Sequence, residues 1–165
     1  MYYLNVFFVF SIIGHILENI FLTSIDSGIL FFPWTPIYGV GVIIILFINN
    51  IVDKIITIKK MKPLILFICC AIFLALIEMI GGISLELLLG RIFWDYSNEF
   101  GHIGRYTSLK MIIIWGISSL VFIYFIHPKL EKHIKKIPKV ITYILVFLFI
   151  VDFSVTFYYL KDKLF

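Results

Sequence analysis

The chain has 165 residues, of which 62% are hydrophobic and 18% aromatic, and its mean hydropathy is +1.08. Those values exclude an ordinary soluble domain and leave room for one compact membrane unit. The net charge of +4 comes from lysines gathered in a few places, so it speaks of membrane orientation and excludes a nucleic-acid partner.

About 20 apolar residues are needed to cross about 30 Å of hydrocarbon. The first such run is Tyr3 to Leu22. It has no basic stretch before it and no small-residue cleavage site after it, so it reads as a retained span and not as a signal peptide. His15 and Glu18 are three apart near its end and share a helical face. A loop from Thr23 to Trp34 follows, with Asp26-Ser27-Gly28 as a turn signal and Pro33 and Pro36 as breakers. Pro36 opens the second span, which ends near Asp53; a proline suits a first helical turn because its missing N–H has no partner there anyway.

Lys54 to Lys62 is a short basic link. The third span runs from Pro63 to about Ile83, with Glu78 inside it and Glu86 at or beyond its end. Gly90 to Tyr106 is a polar, aromatic loop. The fourth span covers about Thr107 to Ile126, His127 to Lys139 is a second basic link, and the fifth span, about Val140 to Tyr159, carries Asp152. The reading is an all-α, polytopic membrane bundle of about five transmembrane helices in a single domain, 1–165.

Nine of the 14 basic residues fall in the two links that share one side. The positive-inside rule puts that side, and with it the N-terminus, in the cytoplasm. Against lipid, the links orient the chain and touch headgroups rather than hold a partner. Glu18 and Glu78 are 60 apart, and so are Trp34 and Trp94, which suggests a weak parallel repeat of helix pairs 1–2 and 3–4.

Acids inside spans carry the main functional signal. A charge at the bilayer centre costs a few kcal/mol, roughly, even on the lenient insertion scale, so such a group faces protein or water, or is protonated. Asp152 reads as hydrogen-bonded packing glue. Glu18 and Glu78 read as functional, since acids from separate spans can meet. Glu78 and Glu86 are eight apart, about 12 Å along a helix. The candidate binding residues for a solute or ion are therefore Glu18, His15, Tyr38, Glu78, Glu86, Trp94, Asp95, Tyr96 and Arg105, on what would be the outer half of the bundle. The aromatic members could equally form an interfacial belt, and Arg105 on a carboxylate could be purely structural.

Other chemistry leaves no trace. There is no GxxxxGK[ST], HExxH or GxSxG motif, no catalytic residue can be named, and the balance is against an enzyme. A membrane-embedded enzyme on a lipid-linked substrate, or a non-catalytic subunit, are the alternatives to a transport role. No metal set and no cofactor are indicated. Cys69 and Cys70 are adjacent in an apolar run and read as packing residues.

Several blocks together resemble the putative ABC-transporter type IV (CmpB-like) family of small bacterial integral membrane proteins. They are Gly14 to Glu18, Gly28, Pro33 to Gly41, Glu78 to Gly82, Leu85-Glu86, Trp94 to Ser97, Gly104-Arg105 and Trp115-Gly116. The chain departs from the family pattern at His15, where Trp is common, before Gly28, where a basic residue is common, and at Phe32, where Gly is common. The resemblance implies a multi-pass permease-like protein of the bacterial cytoplasmic membrane, with a separate ATPase subunit as a partner. The links are short for docking a motor, and five spans would need homo-oligomerisation to enclose a pathway.

Overall fold

In the computed structural model, residues 1–21 and 30–162 are described; the predicted turn at Asp26 to Gly28 and the lysine at position 163 lie outside them. The elements in chain order are α1 (Tyr2–Phe21), α2 (Pro36–Ile55), α3 (Lys62–Leu89), β1 (His102–Ile103), β2 (Thr107–Ser108), α4 (Leu109–Val121), a π-helical turn (Phe122–Ile126), α5 (His127–Lys135) and α6 (Lys139–Asp162). Among the described residues, five helices are long and apolar enough to cross a membrane: Tyr2–Ile20, Pro36–Ile55, Lys62–Leu89, Leu109–Lys135 and Lys139–Leu160.

Two boundaries differ from expectation. The third helix continues to Leu89, so Glu86 is helical and α3 is about 42 Å long. It stops at Gly90, whose φ of 59° is the left-handed geometry that glycine adopts without Cβ strain, with the Gly90 N–H donating to the Glu86 carbonyl. The second basic link is mostly helix. The π turn and α5 carry the fourth span on to Lys135, and only Lys136 to Pro138 separate it from α6. Pro128 lies inside this continuous helix, directly after the π turn, where the His127 N–H donates to the Phe122 carbonyl five residues back and the wider turn makes room for the proline ring.

The chain forms two compact units. The first comprises Met1–Ile43 with Leu130–Phe165, and the second Ile44–Lys129. In the first, Phe8, Trp34 and Phe149 form an aromatic cluster with ring centroids 5.7–6.0 Å apart. Buried Asn5 ties α1 to its neighbours: its Nδ2 donates to the Ile134 carbonyl at 3.3 Å, and its Oδ1 accepts from the Thr142 hydroxyl at 2.5 Å. Asp152 is also buried. It accepts the Phe31 and Phe32 N–H groups (3.0 Å each), the Trp34 indole (2.7 Å) and the Thr156 hydroxyl (3.2 Å). Three of these four donors belong to the bent segment that leads into α2, which the carboxylate thereby fixes.

In the second unit α4 packs along α3. The buried positions of α3 include Leu66, Cys70, Ala71, Leu74, Ala75, Glu78 and Gly82, which recur at the helical period and define one face. Gly116 of α4 lets the helices close up, since a Cβ there would lie 2.5 Å from the Phe67 ring. Glu78 is thus a carboxylate on an otherwise apolar packing face. Between α3 and α4, β1 and β2 pair antiparallel, His102 with Ser108 and Ile103 with Thr107.

Candidate functional site

The polar groups of the second unit collect where α3, the 90–106 loop and the start of α4 meet. Glu78 is 4% exposed, and both of its oxygens are occupied. The Tyr96 hydroxyl donates to Oε1 at 3.2 Å and the Thr107 hydroxyl to Oε2 at 3.1 Å. The Trp115 side chain reaches the same carboxylate. Every partner is neutral, so hydrogen bonds rather than a counter-charge accommodate this acid on the packed face.

Two turns further on, Glu86 takes the Tyr106 hydroxyl at 2.5 Å and the Arg105 guanidinium at 3.1 Å. Arg105 also lies 3.6 Å from Asp95. Glu86, Arg105 and Asp95 are each roughly two-fifths exposed, so the triad is open to water or headgroups, while Glu78 is sealed. Outside the spans the loop orders its own charges. Asp95 is held below the usual carboxylate range chiefly by hydrogen bonds from Ser97, whose N–H donates at 2.8 Å, and further by Arg105. Glu99 is held low chiefly by Lys110 and then by the Ser108 hydroxyl. Tyr106 is pushed up by burial and by its Glu86 partner, so it stays a neutral donor.

Backbone bonds make the loop a rigid cover. Tyr96 N–H donates to the Arg105 carbonyl at 2.8 Å, and the Trp94 indole donates to the Tyr106 carbonyl at 3.2 Å. The Trp94 and Tyr106 rings meet edge-on at 6.1 Å. Trp94 is therefore a brace for Tyr106.

In the first unit, Glu18 accepts the Thr35 hydroxyl at 3.1 Å and also the Tyr38 side chain. His15 stands near enough to Glu18 to interact electrostatically, and its Nδ1 finds no hydrogen-bond partner among the described residues. Of the predicted set, the structure joins Glu18 to Tyr38, Glu78 to Tyr96, and Glu86 to Arg105 and Asp95. Thr35, Tyr106, Thr107 and Trp115 complete these groups and were not among the candidate binding residues, although Thr35 and Trp115 lie in the blocks that carry the family resemblance.

The geometry corrects the register of the internal repeat. Gly14 and Gly82 each press against a tyrosine ring 24 residues later, Tyr38 and Tyr106, and an added Cβ would fall 2.3 Å from the ring in both cases. Four residues after each glycine stands the glutamate that the tyrosine hydroxyl meets. The sequences there are Gly14-His15-Ile16-Leu17-Glu18 and Gly82-Ile83-Ser84-Leu85-Glu86, a spacing of 68 rather than 60. By contrast, Trp34 binds Asp152 and Trp94 binds the Tyr106 carbonyl, so the two tryptophans are not equivalent.

Five bilayer-length apolar helices, with carboxylates satisfied by hydroxyl donors on their packed faces, define a multi-pass membrane protein. The chain belongs to the family described as putative ABC-transporter type IV, which it matches over residues 5–159. Neither a curated protein nor a solved structure matches it.

Proposed function

We propose that the protein is the membrane-embedded part of a transport system of the bacterial cytoplasmic membrane. Its second unit binds a small cationic or amine-bearing solute. The observation that carries this reading is Glu78, a carboxylate 4% exposed in an apolar helix, held only by neutral donors. With no fixed counter-charge, such a group can lose and regain a proton as a ligand arrives or leaves. Glu86 and Asp95 share Arg105, while Glu78 has no cationic partner among its hydrogen bonds and is left to receive one from a ligand. Trp94 and Tyr96 supply ring faces of the kind that receive organic cations.

Glu18 with Tyr38 and His15 serves as a second binding element on this reading, and the N-terminus is cytoplasmic. Since the sequence has no nucleotide-binding motif, ATP-driven transport runs through a separate ATPase subunit, and a complete pathway needs a second copy of the chain.

The test is Glu78→Gln in proteoliposomes, with uptake of a panel of radiolabelled amines and alkali cations read alongside an internal pH dye. Glu78→Gln keeps the side-chain shape and removes the exchangeable proton; its NH2 no longer accepts, so one of the two hydroxyls must turn to accept from it. A tenfold or larger loss of uptake and of proton movement for at least one solute is the expected result. Wild-type behaviour toward every solute that the unmodified protein carries would end the proposal.

A further inference from the structure

On the second unit, away from Glu78, Phe100 is 91% exposed in the polar run Ser97-Asn98-Glu99-Phe100-Gly101-His102. A large aromatic fully presented from a polar loop has no folding role. It is nevertheless held firmly in place. The Leu109 N–H donates to the Gly101 carbonyl at 3.0 Å, the Ser108 hydroxyl to Glu99 Oε2 at 3.1 Å, and the Lys110 ammonium to Glu99 Oε1 at 2.9 Å. These bonds fasten both neighbours of Phe100 to the first turn of α4.

Directly below lies a groove of about 570 Å³ lined by Glu99, Phe100, Leu109, Lys110, Ile113 and Ile114. That volume is within the range of about 300–1,000 Å³ typical of small-molecule sites. Its floor is the outward face of α4, where Leu109, Ile113 and Ile114 are 40–47% exposed. Its upper end is the Glu99–Lys110 pair. Because α4 is a bilayer-spanning helix, the apolar floor faces hydrocarbon and the ion pair stands at headgroup height.

We propose that this groove seats one phospholipid with a zwitterionic, primary-amine headgroup of the phosphatidylethanolamine type. Lys110 has three N–H donors and directs one of them to Glu99, so others can meet the lipid phosphate. Glu99 keeps oxygen lone pairs for the lipid ammonium. A cation and an anion side by side complement a headgroup that carries both signs; a purely anionic headgroup would meet the Glu99 charge unfavourably, and a quaternary amine could not donate to it. An acyl chain lies along Leu109, Ile113 and Ile114, and Phe100 closes over the glycerol region.

The experiment is native mass spectrometry of the full chain, delipidated and titrated in turn with dioleoyl phosphatidylethanolamine, dioleoyl phosphatidylglycerol and glycerophosphoethanolamine. The expected result is one retained phosphatidylethanolamine per chain, held at least tenfold more tightly than phosphatidylglycerol, with no retention of the chain-less headgroup. Lys110→Ala and, separately, Ile113→Trp, which fills the groove from an exposed position, should each weaken the retained lipid about tenfold. Equal retention of the two lipids, retention unchanged in both variants, or binding of the headgroup alone would overturn the proposal. None of these outcomes depends on Glu78, so they stand apart from the uptake assay.

Discussion

The two units contain the same small device, built to different degrees of closure. In each, a glycine on one helix accepts a tyrosine ring that arrives 24 residues later, and the tyrosine meets a glutamate one helical turn beyond the glycine. In the second unit the tyrosine is 5% exposed, is braced by Trp94, and shares its glutamate with Arg105. In the first, Tyr38 is half-buried, and its glutamate is shared with the neutral Thr35. The first unit places its strongest polar anchor elsewhere, on Asp152, which fixes the 31–34 segment with three of its four bonds. The contrast teaches that one contact can be locked as part of a covered site or left more open, depending on what surrounds it.

The largest effect should come from filling the two glycine seats. At Gly82 a methyl group would meet the Tyr106 ring at 2.3 Å, and that ring is held at both its hydroxyl and its own carbonyl. Gly82→Ala should cost about 3 kcal/mol, at the upper end of overpacking penalties. At Gly14 the clash is at least as hard, because an added methyl group would meet the Tyr38 Cγ at 2.3 Å and its Cβ at 2.7 Å, atoms that a ring rotation does not move, so Gly14→Ala should also cost about 3 kcal/mol. Thermal unfolding in mild detergent compares the two. A Gly14 loss well below the Gly82 loss would show that the first seat yields where the second does not.

The tyrosine hydroxyls sharpen the comparison with a smaller change. Tyr106→Phe removes a donor at 2.5 Å from Glu86 and should cost about 1 kcal/mol, since Arg105 continues to satisfy the carboxylate. Tyr38→Phe should cost about half as much, because Thr35 still donates to Glu18 from a partly solvated position. A double-mutant cycle with Glu86→Gln, and its counterpart with Glu18→Gln, isolates each pair. A larger coupling for Glu18 than for Glu86 would reverse the assignment of the tighter device.

Much of this was legible in the residues. Five spans follow from apolar runs, and Glu78, Glu86, Asp95 and Arg105 are conspicuous as charges in apolar or aromatic surroundings. The ends of the spans were less visible. Hydropathy weighs side chains, whereas α3 runs on through Glu86 because Gly90 ends it, and α5 stays helical through lysines because the π turn accommodates Pro128 and the helix ends only before Pro138. The donors Thr35, Thr107 and Tyr106 were hidden because a hydroxyl in an apolar chain gives no periodic signal; only the fold shows which acid it meets. The 68-residue repeat was present in Gly-x-x-Leu-Glu, but the 60-residue tryptophan spacing drew attention first.

The mildest test concerns pH and the 95–110 loop of the second unit. Asp95 is held low chiefly by Ser97, and Glu99 chiefly by Lys110. A carboxylate with a depressed folded pKa contributes stability that is fully present above its ordinary value, about 4, and is lost as pH falls through the folded value. The 95–110 loop should therefore hold steady from neutral pH down to about 4 and loosen below it. Amide exchange at Ser97, whose N–H donates to Asp95, taken at each pH relative to the rate of an unstructured amide, should accelerate a few-fold in that acid range. Asp95→Asn should show the faster exchange already at neutral pH and little further change on acidification. Relative exchange at Ser97 that stays flat down to pH 2.5 in the unmodified protein would show that the Tyr96–Arg105 backbone bond and the Trp94 brace hold the cover without help from its charges.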